Sequence, residues 1–205
     1  MTGLDHLIYA APDLASAVGD IEKRLGLKAT PGGRHPQWGT RNAIVPLGPD
    51  TYLEMIGPDD PVAPRPTLFG IDRLTAPRLV TWAAKGADLP SLAARARAHG
   101  IDLGAVTRGE RARPDGTRLT WDATDPFADR ESGVIPFFID WRDSPHPAAS
   151  ASPTTTLARL HAEHPESERI AALLRALDIA LDIRPGPTPA LFAELHAPAG
   201  AVTLR

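Results

Sequence analysis

Two side chains combine a type and a setting suited to chemistry: His6, in the run LDHLIYA at residues 4–10, and Glu54, in YLEMIG at residues 52–57. A carboxylate in an otherwise apolar strand either reaches solvent at a sheet edge or points into a cavity, because burying it unpaired and unused is costly. Alternation puts Tyr52, Glu54 and Ile56 on one face, and two apolar neighbours favour the inward aim. An inward carboxylate suits proton abstraction next to a carbonyl. A histidine in an apolar strand is a metal ligand, a general base or a satisfied core residue. The stretch GGRHPQWGTRN at residues 32–42 adds His35, Trp38, Arg41 and Asn42. Arg41 pairs with Glu54 or grips a ligand carboxylate with both prongs of its guanidinium. Hairpin register decides whether Arg41 or Asn42 shares the face of Glu54, since a slip of one residue turns every side chain over.

Other histidines have ordinary readings. His99 closes a helix, where a cation suits the negative end of the dipole. HAEH at residues 161–164 superficially resembles a metal pair, but His164 precedes Pro165 at a strand-to-helix bend, which favours a capping or surface role. With no cysteine there are no disulfides and no thiolate chemistry. No P-loop, G-x-G-x-x-G, G-x-S-x-G or H-E-x-x-H is present.

The elements that must position these groups recur in order. Residues 4–10 read as a strand; Pro12-Asp13 opens a helix through Leu14, Val18, Ile21 and Leu25, ended by Gly26. The hairpin follows, with 43–47 and 51–56 as strands around Gly48-Pro49-Asp50. A second round has a strand at 79–85, a helix capped by Asp88, and strands at 102–108, 118–123 and 134–141. A third has a strand at 155–162, a helix through Ile170, Leu173, Leu174 and Leu177, and strands at 180–183, 190–196 and 201–204. The helix exits Leu25-Gly26-Leu27, His99-Gly100-Ile101 and Leu177-Asp178-Ile179 recur at roughly 75 residues, a period suited to small modules. Modules at 1–66, 67–143 and 144–205, joined by Pro-rich connectors at 57–66 and 144–153, share one compact unit. The predicted class is α+β, with repeated βαβββ modules whose curved mixed sheets form a cup with helices outside.

A formal net charge of -3 without a basic aromatic patch argues against nucleic acid. No run approaches the roughly 18 apolar residues of a membrane helix, and the start MTGLDHLIYAA lacks the order of a signal peptide. The expectation is a cytoplasmic protein.

LDHLIYAAPDL at 4–14, GGRHPQWGTRNAIVPLG at 32–48 and YLEMIGP at 52–58 resemble the glyoxalase-like branch of the vicinal oxygen chelate superfamily. The resemblance implies βαβββ modules paired into a cup that often holds one divalent metal, such as Zn²⁺, Ni²⁺, Mn²⁺ or Fe²⁺. His6 matches the first-strand ligand and Glu54 the later-strand carboxylate. In the second round Thr81 falls opposite His6, and Phe138 or a neighbour falls opposite Glu54; in the third Arg159 falls opposite His6. That shell is incomplete unless another donor such as His35 joins, so the cofactor is one metal or none. The resemblance implies lyase or isomerase chemistry on a small oxygenated metabolite; the expectation from the residues is that Glu54 and His6 are catalytic and that Arg41, Asn42, His35, Trp38 and Tyr52 hold the substrate. The rival reading is a non-catalytic small-molecule binder with Trp38 and Trp82 as aromatic walls. Either serves a monomer or a homodimer.

Overall fold

The computed structural model describes residues 2–112, 116–128, 130–149 and 154–205. The connector expected at 144–153 lies partly outside them. The first ten elements form a closed eight-stranded barrel with two helices outside. They are β1 (Leu4–Ala10), α1 (Leu14–Leu25), β2 (Thr30–His35), β3 (Thr40–Gly48), β4 (Thr51–Pro58), β5 (Arg78–Lys85), α2 (Leu89–Ala98), β6 (Thr107–Ala112), β7 (Arg118–Ala123) and β8 (Phe137–Asp140). The barrel order is β1-β4-β3-β2-β6-β7-β8-β5. Then come β9 (Thr156–His164), α3 (Ser167–Ala176), β10 (Asp182–Pro185), β11 (Ala190–Ala197) and β12 (Gly200–Leu204). These strands make a separate sheet in the order β10-β9-β11-β12. Its apolar face joins the core outside the barrel. Among the described residues no helix is long and apolar enough to cross a membrane.

Strand alternation divides the apolar residues into two cores. Ile8, Ala10, Ile56, Ala83, Ala123 and Phe137 pack inside the barrel. Leu7, Leu53, Met55, Trp82 and Phe138 point outward, against the helices and the second sheet. Trp82 is therefore no wall of the cup: its indole nitrogen donates to the Val134 carbonyl in the outer core.

The helix boundaries follow local chemistry. Asp13 and Asp88 cap α1 and α2 by accepting from the backbone of Ser16 and Ser91. All three helix exits turn through the left-handed region, at Gly26 (φ 70), Gly100 (φ 78) and Asp178 (φ 59).

Several strand expectations shift, among them that at 180–183, which becomes Asp182–Pro185. The strand expected at 102–108 begins at Thr107, because Gly104 takes φ 69 and its N–H is held by the Asp102 carboxylate. Ile101 and Leu103 are buried there as plugs rather than as ladder residues. The strand expected at 134–141 shortens to Phe137–Asp140, since Pro136 has no N–H to lend the ladder. An unexpected strand, β2, carries TPGGRH, a composition that disfavours strands when read alone. It is held by pairing on both sides, with β3 and β6.

Candidate functional site

Pairing along β4 builds the centre of the site. The parallel ladder to β1 sets Tyr52 beside His6 and Glu54 beside Ile8. The antiparallel ladder to β3 sets Asn42 opposite Ile56 and Arg41 opposite Gly57. Asn42 therefore enters the barrel. Arg41 stays exposed on the outer side, near Asp13, and does not reach the cavity.

Inside, three side chains stand in line. His6 Nδ1 lies 2.6 Å from Asp5 Oδ1, and His6 Nε2 lies 3.6 Å from Glu54 Oε2. Asn42 Nδ2 donates to the other oxygen of Glu54. The His6 ring stacks on Tyr52, with centroids 4.6 Å apart and planes at 11°. β1 is bulged against β5 between Leu4 and His6, and a bulge re-aims neighbouring side chains. It is here that adjacent residues Asp5 and His6 meet.

Asp5 is buried, and Trp141 Nε1 donates to both its oxygens at 3.2 and 3.1 Å. Burial alone would raise its carboxyl, but the His146 and His6 imidazoles beside it hold it well below the usual carboxylate range. An ionised Asp5 accepts from His6 Nδ1–H, so Nε2 is left facing Glu54 and the cavity. Burial and the nearby Glu54 and Asp5 charges push the Tyr52 phenol well above its ordinary value.

The cavity they face measures about 40 Å³. His35, Trp38, Phe69, Trp121, Phe137 and Trp141 close around it. His35, which accepts from or donates to Thr40 Oγ1 at 3.1 Å, is lowered to about 4 chiefly by burial, the Glu54 charge partly opposing. Two glycines make room: a Cβ at Gly109 would lie 2.4 Å from the Trp121 indole, and one at Gly32 would lie 2.1 Å from Asn42 Oδ1. Arg111 of β6 is buried in the same wall and donates to the Gly32 carbonyl.

Of the residues expected from sequence, the structure brings together His6, His35, Trp38, Asn42, Tyr52 and Glu54. Asp5 joins them, and its position beside His6 is its one signal in the sequence. Arg111 and Trp121 arrive from strands distant in sequence and Trp141 from the residue after β8, and they carry none. The HAEH histidines are separate: His164 Nδ1 accepts from the Glu166 N–H at 3.0 Å in the bend that leads into α3, and His161 stacks on Phe192.

A metal does not fit this donor set. Glu54 pairs with Ile8, two residues past His6; Phe137 pairs with Ala83, two residues past Thr81. The second half thus presents a phenyl ring and a hydroxyl where a metal would need donors. Among the described residues no group of three or more His, Asp or Glu side chains is placed to hold an ion.

Solved structures share the architecture. A hypothetical protein from Staphylococcus aureus aligns with TM-score 0.67 at 14% identity, over 99% of this chain and 84% of its own. A triple mutant of 4-hydroxymandelate synthase from Streptomyces coelicolor aligns with TM-score 0.55 at 17% identity, over 98% of this chain and 62% of its own. At such identities the likeness is one of fold. No match was found among curated protein sequences. The sequence profile of the glyoxalase-like domain matches residues 4–177, and the chain belongs to the glyoxalase-like domain family.

Proposed function

We propose that the protein is an isomerase-like or lyase-like enzyme that moves a proton at a carbon next to a carbonyl of a small oxygenated molecule, using its own side chains. The observation that carries this reading is the buried line Asp5–His6–Glu54 facing an aromatic cavity. Glu54 Oε2 takes the proton from carbon while His6, entering with a proton on each nitrogen, gives the Nε2 proton to the carbonyl oxygen. The product of this step is the neutral enol. Return of a proton from Glu54 to carbon and of the oxygen-bound proton to His6 restores both groups, so the cycle balances. Asp5 is a positioning residue that holds the ring through Nδ1, and Asn42 orients Glu54. Aromatic walls exclude water and hold a flat ligand. Both halves of the barrel come from one chain, so the cavity is complete without a partner, which supports a monomer.

The test is solvent hydron exchange. Small hydroxyaldehydes, hydroxyketones and 2-oxo acids are incubated with protein in D₂O, and label at carbon is followed by NMR. Exchange by wild type, lowered about 10²- to 10⁴-fold in Glu54→Gln, is the expected result. Asp5→Asn should cost about 10- to 100-fold and alter the pH profile, as a residue that orients the acid would. No exchange with any compound, alongside saturable binding detected by thermal shift, would favour the second reading, a non-catalytic binder. That reading draws support from the density of tryptophan rings around the cavity.

A further inference from the structure

A second cavity of about 110 Å³ adjoins the first and shares Phe69, Pro126 and Phe137 with it as a common wall. Its lining differs in character, since Arg73, Arg78 and Arg130 all contribute. Arg130 is the informative one. It is only 8% exposed, yet among the described residues its guanidinium bonds to backbone carbonyls alone: Nε donates to Asp102 at 2.8 Å, and Nη1 donates to Asp125 at 2.9 Å and Ala128 at 3.3 Å. Among the described residues Nη2 is buried with no hydrogen-bond partner. The nearby Asp125 and Asp102 carboxylates act on Arg130 through their charge, while they accept hydrogen bonds from the Phe127 N–H and the Gly104 N–H. A buried guanidinium nitrogen left unbonded is costly, and an anion is the partner whose geometry it suits. Arg130 is followed by Glu131 (φ 53), Ser132 (φ 54) and Gly133 (φ 85), a run of left-handed backbone that non-glycine residues adopt only when the surroundings hold them.

We infer that this second cavity is the subsite for an oxyanion, carboxylate or phosphate, at the far end of the ligand, with the Arg130 guanidinium in its wall as the principal charge and Arg73 and Arg78 as the cationic rim. The inference rests on the acid–base reading of the first cavity for the identity of the other end. A volume of about 40 Å³ accommodates only the reacting end of a ligand, about the room that a few waters need. The rest of the molecule extends past Phe69 and Phe137 toward the arginines. The substrate class is then a small enolisable carbonyl compound carrying a terminal acid.

The experiment uses inorganic phosphate and acetate as probes on the whole chain, at constant ionic strength set with chloride. Thermal stability is followed in wild type, Arg130→Lys and Glu54→Gln, and arginine Nε–Hε NMR signals are followed in wild type. The expected result is saturable stabilisation by at least one probe, equal in wild type and Glu54→Gln and weakened tenfold or more in Arg130→Lys, with the Arg130 signal among those that shift. A response to phosphate alone or to acetate alone names the acid. Arg73→Gln with Arg78→Gln, both exposed, should weaken binding two- to fivefold and serve if Arg130→Lys does not fold. Unchanged stabilisation in Arg130→Lys, or wild-type titrations in which no arginine signal responds, would overturn the subsite. Because none of these readouts requires turnover, hydron exchange can fail while anion binding stands, and the reverse.

Discussion

The halves of the barrel, β1 to β4 and β5 to β8, repeat one order of elements and one register, yet the line Asp5–His6–Glu54 comes from the first alone. Glu54 stands beside Ile8 as Phe137 stands beside Ala83. The fold supplies two equivalent positions, and side-chain identity decides what each can do. A metal centre needs donors from both. Here one half offers a carboxylate and an imidazole and the other offers a wall, which is the arrangement the proposed proton transfer inside an apolar enclosure requires.

The comparison breaks most sharply under substitution at its two equivalent positions. Glu54→Gln is expected to remove about 10²- to 10⁴-fold of activity, whereas Phe137→Leu at the matching position should retain proton transfer and lose about 1–3 kcal/mol of stability. Exchange kinetics together with urea unfolding of both variants checks this. Equal activity losses would mean that Glu54 has no special role.

A second experiment supplies what the other half lacks. Thr81→His combined with Phe137→Glu should confer stoichiometric Zn²⁺ binding, measured by elemental analysis after dialysis, while wild type binds none and its activity survives chelator treatment. Stoichiometric metal in wild type would defeat the argument from the donor set.

The first half also makes stability depend on pH. His35 is lowered to about 4 from an ordinary 6.5, chiefly by burial, so the unfolded chain binds the proton more readily. Its contribution is complete above about pH 6.5 and is lost as pH falls toward about 4, on the order of 3 kcal/mol across that window. Unfolding free energies from pH 7 to 4 should show this slope in wild type and a flatter one in His35→Gln. Parallel slopes would sink the assignment.

Arg41→Ala should do least. Exposed outside the barrel, it is expected to change activity negligibly and stability by no more than about 0.5 kcal/mol. A large rise in apparent KM would return Arg41 to the site.

Much of the architecture was legible because its causes are local. The Asp13 and Asp88 caps, the left-handed exits at Gly26 and Gly100, and the turn at Gly48-Pro49-Asp50 are written in neighbouring residues, and so is the shared face of Tyr52, Glu54 and Ile56. What those residues cannot specify is pairing between segments far apart in sequence. Barrel closure chose Asn42 over Arg41, turned TPGGRH into β2 by giving it partners on both sides, and brought Arg111, Trp121 and Trp141 to His6. Ladder register and burial are properties of the assembled barrel: a one-residue slip between strands would leave every local preference intact while exchanging the inner and outer faces.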